Sequence, residues 1–135
     1  MPRTKKDLVR QVEDAARPFL ERGETLMRAA EALRGPKPLL ASLLSPLGFF
    51  LLERPRFVVL TNRRLLLVIP PPRARAAARL DTALPRDSIE VESYEATGIW
   101  ARLILRAGSA RHPLNFARVW RTEADLLHRK LAGAR

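Results

Sequence analysis

Apolar and polar positions change their rhythm several times along the chain. Between Thr4 and Leu20, the residues Leu8, Val12, Ala16 and then Phe19-Leu20 recur near helical spacing on one face. Thr4 is placed as an N-cap, with Asp7 three residues on favouring the positive helix end. Pro18 ends or kinks this helix, and Gly23 closes the region. Glu24 to Leu33 is rich in Ala, Leu, Met and Glu, so its local propensity is helical. Residues 38–52 carry no charge. Leucines 39, 40, 43, 44, 47 and 51 fall on one side at helical spacing, opposite Ala41, Ser42, Ser45 and Gly48. Pro46 is costly inside a helix but good at its start, so this stretch reads as two short helical pieces with Ser45-Pro46 opening the second.

From Arg56 onward the period shortens. Phe57 to Thr61 and Leu65 to Ile69 are apolar runs joined by Asn62-Arg63-Arg64, the pattern of a β-hairpin that Pro70-Pro71-Pro72 terminates. Ser88 to Glu95 alternates acids with Ile89 and Val91. Trp100 to Arg106 alternates as well, between turns marked by Gly98 and Gly108. Arg111 to Phe116 reads as an edge strand, because Pro113 cannot donate to a ladder. Thr122 with Asp125 then caps a terminal helix whose Leu126, Leu127 and Leu131 face inward, and Gly133 stops it. Strands followed by one amphipathic C-terminal helix predict a small α+β domain, mainly β, in which a sandwich or barrel is closed by a helix.

At 135 residues the chain has room for one domain and one core. Composition removes whole classes of function. With no cysteine there is no disulfide scaffold, thiolate metal site or cysteine nucleophile. Two histidines, His112 and His128, offer little for zinc, and both read as surface residues. The carboxylates Asp81, Asp87, Glu90, Glu92 and Glu95 have no histidine or nucleophile near them in sequence, and there is no Gly-rich phosphate loop. The chain is therefore read as non-enzymatic, with no cofactor and no metal. Met1 to Phe19 mixes charges of both signs and lacks the apolar core of a signal peptide, so a cytoplasmic address is expected. Trp100 and Trp120 read as core anchors.

Charge sharpens the picture because it is unevenly placed. The formal net charge is +11, and most of the cations are arginine, as GC-rich bacterial coding tends to produce. Residues 54–79 hold Arg54, Arg56, Arg63, Arg64, Arg73, Arg75 and Arg79 with no acid among them, whereas residues 80–95 are acidic. A basic strip of this kind points to an anionic partner: phospholipid, nucleic acid or an acidic protein.

The run Arg56-Phe57-Val58-Val59-Leu60-Thr61-Asn62-Arg63-Arg64-Leu65-Leu66-Leu67 resembles the first clear hairpin of bacterial pleckstrin-homology (PH)-like domains. Arg22-Gly23-Glu24-Thr25-Leu26 resembles that family's entry to its first strand, and Leu84-Pro85-Arg86-Asp87-Ser88-Ile89 a middle element. Asn115-Phe116 leading into a helix also fits. The resemblance covers roughly residues 20–132. It implies a seven-stranded sandwich or partly open barrel capped by the C-terminal helix, a module that binds lipids or proteins and does not catalyse. On this reading residues 1–20 form an N-terminal helix and 21–132 the PH-like domain, with 38–52 as an apolar helical insertion. The pattern does not require that insertion. The resemblance also turns Glu24 to Leu33 into a strand, against its propensity, and the residues alone leave strand and helix both open.

Arg54, Arg56, Arg63, Arg73, Arg75 and Arg79 are the candidate contacts to anionic lipid or an acidic partner, since guanidinium matches phosphate in bidentate fashion. The arginine that leads the second hairpin strand is expected to brace the hairpin. Leu43, Leu44, Leu47, Phe49, Phe50 and Leu51 are the candidate membrane-inserting or subunit-interface residues. A straight helix of this stretch reaches about 22 Å, short of the about 30 Å of a bilayer core, so it does not comfortably span. The expected function is docking on the inner face of the plasma membrane, by basic loops and shallow insertion. The alternative is a protein-interaction or oligomerisation module that buries 38–52 against another subunit. Nucleic acid ranks behind both, because no stretch interleaves exposed aromatics with basic residues.

Overall fold

The computed structural model describes residues 4–38, 40, 43, 46–72 and 76–133. Helix α1 spans Lys5–Ala16 and starts as its sequence dictates. The Asp7 backbone N–H donates to Thr4 Oγ1 at 3.2 Å, and the Thr4 N–H donates back to the Asp7 carboxylate at 3.1 Å. Seven strands follow: β1 (Leu26–Arg34), β2 (Arg54–Thr61), β3 (Arg64–Ile69), β4 (Arg79–Pro85), β5 (Ile89–Thr97), β6 (Trp100–Ala107) and β7 (Ala110–Ala117). Helix α2 (Pro46–Leu52) lies between β1 and β2, and helix α3 (Arg121–Ala132) closes the chain. The second helical piece is described from Pro46 onward, and Ser45, its expected cap, lies outside the described residues.

The strands form one antiparallel sheet in the order β4-β3-β2-β1-β7-β6-β5. This is the seven-stranded sheet with a C-terminal helix that the resemblance implies. Strand β1 belongs to both halves. It pairs with β2 from Leu26 to Arg34, yet with β7 only at Leu33↔Asn115 and Arg34↔Leu114. Glu24 to Leu33 therefore supplies most of a strand, and long-range pairing overrides its helical propensity.

Two apolar clusters lie on opposite faces of the sheet. In one, Ala124, Leu127 and Leu131 of α3 pack with Val58, Leu60, Leu65, Leu67, Leu103 and Phe116. In the other, Val12 and Ala16 of α1 pack on Ala29, Phe57, Val59, Leu66 and Val68. Strands β2 and β3 are covered from both sides, which is why their sequences are continuously apolar instead of alternating.

Four expectations change at this level. Strand β7 is not an edge strand, since it lies between β1 and β6. Pro113 is tolerated because it sits just past the end of β1, where its carbonyl accepts the Gly35 N–H at 3.3 Å and no ladder donor is required. Helix α3 starts at Arg121 after a 3-10 turn, Arg118–Trp120, and no side chain caps it, so Thr122 falls inside the helix. His112 is buried, and Trp100 is only half-buried on the sheet's outer face, whereas Trp120 is a core residue. The edge strand β4 has no counterpart in the periodicity, because Arg79–Pro85 mixes exposed and half-buried positions without alternation and buries only Leu84.

If α1 is an integral cover of β2 and β3, Val12→Ala should lower unfolding free energy by about 2 kcal/mol, from lost methyl burial plus a residual cavity. Denaturant unfolding measures this, and an unchanged midpoint would mean that α1 contributes nothing to the core.

Candidate functional site

The motif residues of the β2–β3 turn are committed to structure. Arg64 donates from Nε to Glu24 Oε2 at 3.0 Å and from Nη2 to Glu24 Oε1 at 2.6 Å. Nη2 also reaches the Phe19 carbonyl at 2.9 Å. The Thr61 hydroxyl donates to Glu24 Oε2 at 2.6 Å and accepts the Arg63 and Arg64 backbone N–H groups. Asn62 completes the attachment, since its side-chain oxygen accepts the Thr25 N–H at 2.8 Å. The Glu24 side chain is wholly buried. Its hydrogen bonds from Arg64 outweigh burial and hold its carboxyl down to about 2. Arg64 is thus the arginine that braces the hairpin, and Arg63 beside it is exposed.

The rest of the basic strip gathers at the opposite end of the sheet. Arg34 at the end of β1 is paired in register with Arg54 at the start of β2. Arg79 opens β4 opposite Ile69, the last residue of β3. The connection from β3 to β4 therefore leaves and re-enters at this same end; its Arg73 and Arg75 lie outside the described residues. Arg54 and Arg79 are exposed. Arg56 is largely covered and donates to Asp81 at 2.9 Å, with Arg34 3.6 Å from the same carboxylate. Asp81 thus fixes two arginines without matching their summed charge. His112 is buried at this end; burial and the neighbouring Arg34 push its pKa down, which keeps the ring neutral near pH 7. Arg63 stands apart from the group, on the far side of the hairpin. Arg34, not among the arginines singled out from the sequence, is a member of it.

Helix α2 sits at this basic end and exposes its leucines. Leu47 is 67% exposed and Leu51 63%, with Leu40 at 57% and Leu43 at 80% in the approach to the helix. Phe49 is half-buried. Leu44 and the Phe50 side chain lie outside the described residues. Side chains this apolar are rarely left uncovered together.

A buried polar knot pins both ends of the insertion. Asn115 donates from its amide to Glu53 Oε1 at 2.9 Å and to the Pro36 carbonyl at 3.0 Å. Arg102 donates to Asn115 Oδ1 at 2.8 Å and to the Gly35 carbonyl at 2.9 Å. Burial pushes the Glu53 carboxyl up, against the Asn115 hydrogen bond and the Arg102 charge. The chain passes itself closely here, because a Cβ on Gly35 would lie 2.4 Å from the Leu52 carbonyl oxygen. Only glycine fits.

Among the described residues, no cluster of His, Asp and Glu has the makings of a metal site, and no helix is long and apolar enough to cross a membrane. No protein-family model and no curated protein matches the chain. Solved structures do. A PH domain within OCRL, described as bridging clathrin-mediated membrane trafficking to phosphoinositide metabolism, superposes with a TM-score of 0.53 at 15% identity, over 90% of this chain and 79% of that one. The hSac2 domain of the human phosphoinositide phosphatase Sac2 gives a TM-score of 0.43 at 14% identity, over 94% of this chain and 79% of its own. At such identities the likeness is one of fold, carried by the first of the two. The chain has a PH-like fold.

Two predictions come from the buried groups. Because the folded Glu24 pKa lies below its ordinary 4.5, the clamp's contribution is fully present above pH 4.5 and is lost as pH falls towards 2. Thermal midpoints over that window should fall less steeply in Glu24→Gln than in the wild type. Arg64→Met should cost about 3 kcal/mol by stranding the Glu24 charge, and adding Glu24→Gln should recover part of it. Denaturant titration of the three variants checks both. For the knot, Gly35→Ala should lower the thermal midpoint by several degrees, since the added methyl collides with backbone.

Proposed function

We propose that this protein is a non-catalytic PH-like module that docks on the inner, cytoplasmic face of the plasma membrane through the basic end of its sheet and helix α2. The observation that carries this reading is the adjacency of the exposed leucines of α2 to exposed Arg54 and Arg79 at one end of the sheet. Cations near an anionic leaflet contribute about 1 kcal/mol each and are screened by salt. Inserted leucines contribute through apolar burial, which salt does not screen. Neither alone holds a protein firmly, but together they give stable attachment. No helix among the described residues is long and apolar enough to cross a bilayer, so insertion is read as shallow. The fold supports this reading as a common scaffold for membrane or protein recognition, and the site chemistry supports an anionic surface.

The arginines divide by role. Arg54 and Arg79 face the lipid; Arg73 and Arg75 belong to the β3–β4 connection and lie outside the described residues. Arg56 is better described as a support for this surface, because its guanidinium is held by Asp81. Arg63, on the other side of the hairpin, contributes only to the long-range field.

The test is flotation on anionic and neutral liposomes at low and high salt. Wild-type protein should float on anionic vesicles and be released only in part by high salt. Leu47→Asp/Leu51→Asp should weaken binding about tenfold or more and make the remainder fully salt-sensitive. Arg54→Gln/Arg79→Gln should weaken it about thirtyfold at low salt. Absence of flotation at low salt would sink the membrane reading. A defined oligomer without lipid, dispersed by the leucine variant, would instead assign α2 to a subunit interface.

A further inference from the structure

On the sheet's outer face, beyond the cover of α1, the two half-sheets part and leave a cleft of about 250 Å³ lined by Glu31, Asn115, Ala117, Trp100 and Trp120, among others. Continuing the β1–β7 register two residues back from Leu33↔Asn115 places Glu31 opposite Ala117, and Ala117 pairs with Trp100 on β6. Carboxylate, methyl and indole thus stand in one row across three strands. The small middle residue leaves a slot between the outer two. Glu31 is half-buried, and none of the hydrogen bonds or ion pairs among the described residues reaches its side chain. Its pKa is raised by burial, and no cation among the described residues offsets that cost. An uncompensated carboxylate beside two tryptophans has a ligand chemistry that would complete it.

We propose that this cleft is a binding site for a small organic ammonium group, held between the Glu31 carboxylate and the Trp100 and Trp120 indoles. A hard metal ion does not suit it, since such ions require several oxygen ligands and only one carboxylate is present. A weakly hydrated ammonium does, because it gains from an aromatic wall as well as from charge. The volume is below that of pockets for drug-sized ligands, which matches a headgroup or a small amine. Trp120 already attracts one such group: the Lys5 ammonium lies 5.9 Å from the ring centroid while pairing with Glu123 at 2.7 Å, and Lys5 does not line the cleft. On a chain of net charge +11, non-specific attraction of cations is absent, so uptake depends on this local pairing. The site uses no residue of the docking surface.

The experiment titrates the protein with choline chloride and with tetramethylammonium chloride while the two indole N–H signals are followed by NMR. Sodium chloride at matched ionic strength is the control. A saturable shift with the ammonium salts, not reproduced by sodium, is expected. Glu31→Gln should weaken it at least tenfold, and Trp100→Ala several-fold. Glu31→Gln removes a half-buried charge that no described cation offsets, so its thermal midpoint should not fall below wild type; Trp100→Ala provides an independent second probe. Shifts shared with sodium, or unchanged affinity in Glu31→Gln, would overturn the proposal. A parallel arm with phosphatidylcholine vesicles separates the sources. Flotation abolished by Glu31→Gln identifies a lipid headgroup, whereas saturation by choline without flotation identifies a free small molecule. Because the titration needs no membrane, its result is independent of docking through α2.

Discussion

Everything in this fold is arranged around a hairpin that cannot face water on either side. All residues from Phe57 to Leu60 in β2 and from Leu65 to Val68 in β3 are buried. Half of these side chains point towards α3 and the other half-sheet, and the rest towards α1. Hydrophobic burial scales with area removed from water, so a hairpin of this composition demands two covers. The N-terminal helix is accordingly a structural layer of the sandwich. The Glu24–Arg64–Thr61 clamp joins the chain leaving α1 to the hairpin turn, and so fixes the helix over the strands it shields.

The hairpin was legible in the sequence because continuous apolar runs around Asn62 admit few alternatives. The helix α1 was legible as a helix, through Thr4, Asp7 and its apolar face, but helical spacing does not say which surface the face covers. Strand β1 was ambiguous for a physical reason: Ala29, Ala30, Glu31, Ala32 and Leu33 favour a helix locally, and only pairing with β2 and β7 makes them a strand. The edge strand β4 gave no alternation to read. His112 looked like a surface residue because burial by neighbours distant in sequence has no local signature.

The candidate site divides in the same way. Its composition, a run of arginines beside an uncharged leucine-rich stretch, was visible directly. Its geometry was not. Nothing in the spacing of Arg56 and Asp81 announces that they meet, nor that Arg63 lies across the hairpin from Arg54 and Arg79. Glu31 and Trp100 stand far apart in sequence and become neighbours only through the order in which β1, β7 and β6 assemble. Residues that act through topology are silent until the topology is known.

The knot of Asn115, Arg102, Glu53 and the Gly35 and Pro36 carbonyls has a consequence for how such a domain changes over time. By holding residues 35 and 53 side by side, it makes the segment between them a closed loop whose ends are already joined. The entropic cost of lengthening a closed loop grows only logarithmically, about 0.6 kcal/mol per doubling. The sheet is therefore tolerant of changes in the length of what hangs there. The insertion behaves as an exchangeable cassette in a fixed socket, so a lineage can replace what it presents to the outside without renegotiating the core beneath.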